Sequence, residues 1–391
     1  MAHAQPSVPD RSRPESRVLF VITEDWFFAS HFLALAAAVR ARGYAVSVHL
    51  RLNDPALRAR FEDAGLRVLP SSYDRGGSGR LGDAAQILRF FRLFRAERPA
   101  IVHIISLRVV ILAGIAARLA RVPVRVHAMT GTGLLGAGRS RKARLILDGL
   151  GGVLRHGLGG AGAGFVFENA DDPRRLGFAP DRPDLLTVGG AGIDPDGESA
   201  LPFPDGPPLR LAIVARMIRS KGIAVAVDAL ARARATGADI TLSLVGGTDP
   251  GNPRSFTEAE LEAFASQPGV AWLGHMADVR TVWRDHHVAC VPSLGGEGLP
   301  RSLLEAAAAG RPVVTTDTPG CATFVRPMRE GLVVPPGDPV ALARAFTAMA
   351  ADPSLVRRLG AAARRRVVSG FTLRSVSDAV LDFYDRLART R

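Results

Sequence analysis

Residues Val291–Gly310 read VPSLGGEGLPRSLLEAAAAG. An apolar run ends at Val291 and Pro292, a loop with Gly295, Gly296 and Gly298 follows, and a Leu/Ala-rich stretch begins at Pro300. Strand, glycine loop and helix in that order make half of a βαβ unit, the building block of parallel sheets covered on both faces. Pro300 suits a helix's first turn, where its missing N–H would have no intrahelical partner. Glu297 falls in the loop and Glu305 in the second helical turn, so both can face one pocket at the helix's N-terminal end. Free amides and the helix dipole favour an anion there, such as a diphosphate. For either carboxylate alone, the plainer reading is a solvated or capping side chain.

The same alternation extends along most of the chain. Strand-like runs fall at Val18–Thr23, Ala45–Leu50, Leu66–Leu69, Ile101–Ile105, Val122–Met129 and Gly164–Phe167. Helical periods fall between them at Phe28–Arg42, Ala84–Arg95 and Val109–Arg121. A Gly/Pro/Asp-rich stretch over 189–208 breaks the pattern, because those residues favour turns. Strands resume at Leu209–Ala215, Ile240–Val245, Val270–Leu273, Val288–Pro292, Pro312–Thr315 and Gly331–Val334, with a helix from Ser220 and a helical tail broken near Pro353 and Gly370. The fold class expected is α/β, two doubly wound Rossmann-like domains facing a cleft. Residues 17–188 form the N-terminal domain, 189–208 the linker and 209–370 the C-terminal domain. The last helix, 371–391, is expected to pack back toward the N-terminal domain. Residues 1–16 are polar, lack an apolar run and read as a disordered leader.

The 391 residues carry a formal net charge of +13, which first suggests a polyanion binder. Its distribution argues otherwise. Residues 80–155 hold 14 basic and three acidic side chains, whereas 187–391 hold 23 and 21. Arg89, Arg92 and Arg95 recur every three residues among aromatic and aliphatic side chains, and Arg139, Arg141, Lys142 and Arg144 cluster further on. Such a basic amphipathic helix suits an anionic membrane surface, with solvated faces over an ordinary core as the plainer alternative. Nucleic acid is not an expected partner, because no recognised binding module accompanies the charge. Cys290 and Cys321 stand far apart without CxxC spacing, so neither a disulfide framework nor a zinc site is expected. No apolar run reaches the ~20 residues of a membrane span.

A second cationic element lies at Arg216 and Lys221, in the loop ARMIRSKG after the strand at Leu209–Ala215. Two cations at a strand end can neutralise a diphosphate leaving group without a metal. Lys221 is one of only two lysines among 50 basic residues, which points to a use for a compact, flexible charge.

ARMIRSKG, LVGGTDPGNP, WLGH and VPSLGGEGLPRSLLEAAAAGRPVVTTDTPGC together resemble the donor-binding half of glycosyltransferase family 4, retaining enzymes with the GT-B fold. VITEDWFFASHFLALAAAVRARGY is similar to the bacterial branch that builds polyprenyl-linked oligosaccharide, O-antigen and exopolysaccharide. The resemblance implies transfer of a sugar from a nucleotide donor, UDP-linked by preference, to a lipid-linked or saccharide acceptor, with no cofactor and no metal required. It implies that Arg216 and Lys221 hold the diphosphate, Glu297 contacts sugar hydroxyls and Glu305 hydrogen-bonds the ribose. Amides near Gly298 and Leu299 would complete the phosphate cradle, and Gly247, Thr248 and His275 would lie near the nucleobase. The resemblance makes 17–188 the acceptor-binding and 209–370 the nucleotide-sugar-binding domain, in a cytoplasmic protein peripheral on the inner face of the membrane.

The family pattern is not complete. Many members have His before Gly after the fifth strand, where this chain has Thr130 before Gly131, with His127 three residues earlier. Trp26, His31, His127, Thr130 and Gly131 are carried as acceptor-side or cleft candidates, although a packed strand position is the plainer reading of His127. Gly131–Gly136 matches GxGxxG but follows the fifth strand, which fails the context of a dinucleotide fingerprint. Asp194-Pro195-Asp196 mimics a metal-binding DxD yet sits in turn-rich sequence. Two rivals remain: a GT-B sugar-nucleotide epimerase, and a non-enzymatic protein that binds an anionic surface or nucleic acid.

Overall fold

The computed structural model describes residues 17–71, 79–133, 141–195 and 200–390, with the side chains of 79–81, 142 and 143 left aside. The leader 1–16, Leu134–Gly136, Arg139 and Asp196 lie outside the described residues. The chain divides into two compact units: Met1–Gly131 with Ser140–Ala191 and Leu373–Arg391, and Thr132–Arg139 with Gly192–Thr372.

The first unit holds a seven-stranded parallel sheet in the order β3-β2-β1-β4-β5-β6-β7. Its strands are β1 Arg17–Glu24, β2 Ala45–Arg51, β3 Arg67–Pro70, β4 Ile101–Ile105, β5 Val124–Met129, β6 Ala163–Phe167 and β7 Leu185–Thr187. Every residue of β4 and of β6 is buried, the mark of strands covered on both faces. The core gathers Phe20, Val48, Phe61, Ile101 and Val126 with Val380, Phe383 and Tyr384 of the helix Leu373–Ala388. That last helix therefore belongs to the packing of the N-terminal unit, anchored by a 2.5 Å hydrogen bond between Tyr384 and His103 Nδ1.

Two local readings are corrected here. The helix expected over Phe28–Arg42 is two helices, Asp25–His31 and Leu33–Ala41, interrupted at Phe32. Ser30 donates its hydroxyl proton to the Trp26 carbonyl, a backbone contact that bends helices. β7 was not expected, because three residues at a sheet edge carry no readable alternation.

The second unit is built on a six-stranded parallel sheet, β10-β9-β8-β11-β12-β13. Its strands are β8 Leu209–Val214, β9 Ile240–Val245, β10 Val270–Gly274, β11 Val288–Val291, β12 Val313–Thr316 and β13 Gly331–Val334. Leu211, Ile213, Leu230, Leu242, Leu244 and Phe346 form one face of its core, and Trp283, Leu303, Leu304 and Phe324 the other. From Gly192 onward the segment read as linker packs on this unit. Leu201 N–H donates to the Ala309 carbonyl, and the fully buried Arg311 guanidinium spans the carbonyls of Trp283, Leu201 and Pro202.

Candidate active site

Two loops of the second unit, leaving β8 and β11 at their carboxyl ends, carry most of the proposed chemistry. After β8 the chain passes Arg216, makes one 3₁₀ turn at Arg219–Lys221, and enters the helix Ile223–Ala235 through Gly222. Gly222 has φ +72°, and a Cβ on it would stand 1.9 Å from the Pro292 carbonyl oxygen. Only glycine lets the β8 loop press so closely on the end of β11. Leu294 N–H donates to the Ser220 carbonyl at 2.8 Å and ties the loops again.

That contact brings Lys221 to Glu297: the ammonium pairs with Oε1, each side chain about one-fifth exposed. The second carboxylate oxygen, Oε2, is buried and has no hydrogen-bond partner among the described residues. Gly298, Leu299 and Pro300 are buried behind it, and Pro300 is the N-cap of the helix Arg301–Ala308 rather than its first helical residue. A Cβ on Gly320 would lie 1.6 Å from the Gly298 carbonyl oxygen, so the start of the helix Pro319–Phe324 rests on the same loop. Thr315 and Thr316 donate their hydroxyl protons to the Val291 and Ser293 carbonyls and fix the loop from beneath.

Glu305 stands one turn inside the helix Arg301–Ala308, where Arg301 Nε donates to its Oε1 at 2.7 Å. Arg216 is ion-paired with Asp249 of the loop following β9. Gly247 and Thr248 lie on that loop beside Met217, whose N–H donates to the Gly247 carbonyl at 3.0 Å. His275 follows β10 and is exposed, its Cβ 3.9 Å from where a Cβ on Gly247 would be. The donor-side candidates thus share the carboxyl end of one sheet, as open α/β sheets place their ligands. The sequence reading missed two neighbours, Asp249 and Arg301; Gly133, of the glycine loop that it did read, donates its N–H to the Gly296 carbonyl at 2.8 Å. Only the charge of Arg301, four residues before Glu305, offered a signal.

In the first unit, His31 and Thr130 line a small cavity with His103 and Glu168. His31 Nδ1 lies 2.7 Å from the Ser30 hydroxyl. Trp26 is partly exposed on the helix Asp25–His31, and Gly131, at φ +120°, ends the segment after β5. His127, carried as a cleft candidate, is instead the packed strand residue of its plainer reading. It is fully enclosed, its ring against Phe165, and burial followed by the nearby Arg125 charge pushes its pKa down to about 3. Among the described residues neither ring nitrogen has a hydrogen-bond partner. Arg89, Arg92 and Arg95 are exposed on the helix Gly79–Glu97, over buried Phe90 and Phe94.

Two doubly wound parallel-sheet units, with the donor-side candidates at the strand ends of the second, have the architecture of a GT-B glycosyltransferase. A family model described as "Glycosyl transferases group 1" matches residues 208–352, and one described as "Glycosyl transferase 4-like domain" matches residues 29–159. The chain belongs to this glycosyltransferase family, its two matches together spanning well over half the sequence. It is 31% identical over 170 residues to a phosphatidyl-myo-inositol mannosyltransferase of Mycobacterium leprae, covering 43% of this chain and 44% of that one. It is 29% identical over 181 residues to the putative colanic acid biosynthesis glycosyltransferase WcaL of Salmonella typhimurium, covering 44% of each. The matches span less than half the length of these relatives. In three dimensions it is similar to Anabaena Alr3699/HepE, solved with UDP and glucose, at a TM-score of 0.73, 16% identity, and coverage of 95% of this chain and 99% of that one. Sucrose-phosphate synthase from Thermosynechococcus elongatus gives a TM-score of 0.72 at 19% identity, covering 96% and 100%. At such identities the structural likeness establishes the fold.

Proposed function

We propose that this chain is a retaining glycosyltransferase of bacterial cell-surface polysaccharide or glycolipid synthesis. It would move a hexosyl or N-acetylhexosaminyl group from a nucleotide sugar, UDP-linked, to a lipid-linked or saccharide acceptor. The observation that carries the reading is the Lys221–Glu297 pair, which sets a cation and a carboxylate with one unpartnered oxygen side by side near Arg216. The transfer breaks the bond from the anomeric carbon to the diphosphate oxygen, forms one to the acceptor oxygen, and passes the acceptor hydroxyl's proton to the departing diphosphate. Negative charge gathers on the departing diphosphate, where Arg216, Lys221 and the amides around Gly298 and Leu299 would stabilise it. Glu297 Oε2 is free to accept a hydroxyl of the donor sugar, and Glu305, held by Arg301, would accept from the ribose.

The relatives' names support the biological setting, and the UDP in the Anabaena neighbour supports the nucleotide. A peripheral place on the inner face of the cytoplasmic membrane is part of the proposal. Arg89, Arg92 and Arg95 are exposed on one helix, and Leu145 and Ile146 are exposed beside Arg144 on another, Arg141–Gly152, so each offers basic charge, the second with apolar side chains next to it. Among the described residues no helix is long and apolar enough to cross a membrane.

The test is product analysis with a panel of nucleotide sugars. Transfer predicts that nucleoside diphosphate release depends on acceptor, whereas an altered sugar nucleotide formed without acceptor would mark an epimerase.

A further inference from the structure

Each cation of the proposed diphosphate site is already occupied. Lys221 pairs with Glu297, which has a part in the donor reading, and Arg216 pairs with Asp249, which has none. Asp249 is mostly buried and firmly placed. Its N–H donates to the Ser255 hydroxyl oxygen at 2.8 Å, and that hydroxyl donates to the Phe256 carbonyl at 3.0 Å. The segment beyond it is joined to the Arg216 loop: Arg219 N–H donates to the Arg254 carbonyl and Phe256 N–H to the Met217 carbonyl, both at 2.9 Å. The Arg219 guanidinium lies 4.7 Å from the Phe256 ring centre and bonds Glu260 at 2.7 Å. Carboxylate and guanidinium thus ride on one pair of laced loops, so their pairing is a property of the folded unit.

We propose that Asp249 is a specificity-determining residue, a carboxylate stand-in that holds the phosphate position on Arg216 until a diphosphate displaces it. The inference rests on the donor reading and adds a selection rule to it. Any anion that takes Arg216 must outcompete a fixed carboxylate at no entropic disadvantage to the protein. A diphosphate reaches both Arg216 and Lys221: it displaces Asp249 from the one, and on the other it takes donors of the ammonium that the pairing with Glu297 leaves over, so it gains two charge-assisted contacts for one ion pair broken. A monophosphate or free phosphate reaches one cation and gains little. The stand-in therefore raises the discrimination between nucleoside diphosphates and the monophosphates and phosphate that share the solution. It also offers Arg216 a partner as the nucleoside diphosphate leaves.

The experiment compares the full-length chain with Asp249→Asn by calorimetric titration of inorganic phosphate and of uridine, guanosine and adenosine mono- and diphosphates. The amide keeps the shape and removes the competing charge. Monophosphate and phosphate affinities should rise about tenfold, and the diphosphate-to-monophosphate ratio should fall accordingly. Asp249→Glu, which keeps a carboxylate, should retain more of that ratio than the Asn variant. An unchanged ratio, or an equal loss of affinity for every ligand, would overturn the proposal. So would loss of folding in both Asp249→Asn and Asp249→Ser, which would make Asp249 a structural residue. If the wild type binds no nucleotide, the donor reading fails by itself. A gain in phosphate affinity in the variant would then still support the stand-in, and no gain would end both.

Discussion

Lys221 and Glu297, on loops that follow β8 and β11, are ion-paired, and the glycine at 222 lets those loops meet. The pair makes the two strand ends one functional unit. Lys221→Ala and Glu297→Ala should each lower turnover by about 10²–10³-fold, the scale seen when one group that stabilises developing charge is removed. Because each charge is the other's partner, the double variant should cost much less than the sum of the two singles. Steady-state assays of nucleoside diphosphate release over the three variants check both the size and the non-additivity.

Arg301 and Glu305 should separate from that pair in their kinetic signature. Glu305 is proposed to hold the ribose, remote from the bond that breaks, and Arg301 fixes its carboxylate at 2.7 Å. Glu305→Gln should raise the KM for the nucleotide sugar with a smaller effect on kcat. Arg301→Ala should move KM in the same direction by a smaller factor. A drop confined to kcat would place Glu305 at the reacting centre instead.

Gly222 offers a structural counterpart. Gly222→Ala must bring a Cβ within 1.9 Å of the Pro292 carbonyl oxygen at a positive φ, so the β8 and β11 loops have to part. A lowered Tm with nucleotide affinity reduced beyond the stability loss is expected. Thermal melts with and without UDP measure both.

Much of this was legible in the sequence for a physical reason. Continuous apolar strands such as Ile101–Ile105 and Val288–Val291 are buried on both faces, and parallel sheets write that pattern plainly. The segment with Glu297 and Glu305 was readable because glycine, proline and acid in fixed order constrain a helix start. Asp249 was not: LVGGTDPGNP was read only for its likeness to the family, and the importance of this one carboxylate lies in a contact with Arg216 across the fold. The break at Phe32 depends on the Ser30 hydroxyl turning back to the Trp26 carbonyl, which no hydrophobic period records. His127, by contrast, was legible: a histidine inside an apolar strand reads first as packed, and Phe165 and Gly114 enclose it.

The buried histidines set an acid limit on stability. Burial pushes His103 and His127 down to about 3, and His49 and His287 to about 4. Their unfolded pKa is about 6.5, so below that pH the unfolded chain binds protons the folded one refuses. Stability from these groups is complete above pH 6.5 and is lost as pH falls toward 4. Tm should decline over that window, and His127→Phe should flatten the decline relative to the wild type. A Tm constant from pH 7 to 4.5 would contradict this.

Membrane contact has its own measurement. Vesicles of phosphatidylglycerol should carry the protein in flotation where phosphatidylcholine vesicles do not, because a basic face gains affinity from anionic headgroups. Substituting Arg89, Arg92 and Arg95 together with Gln should weaken the difference, and salt should weaken it further. Equal recovery on both vesicle types would remove the membrane from the account.

The central claim is that the β8 and β11 loops form a nucleotide-sugar site built on Arg216, Lys221 and Glu297. Calorimetric titration of the wild type and of Lys221→Ala with UDP, GDP and ADP tests it most directly. The account predicts saturable binding of one nucleoside diphosphate, UDP, that Lys221→Ala weakens by tenfold or more, about the loss of one charge-assisted contact. Binding that is absent for all three nucleotides, or unchanged by removal of Lys221, would contradict it.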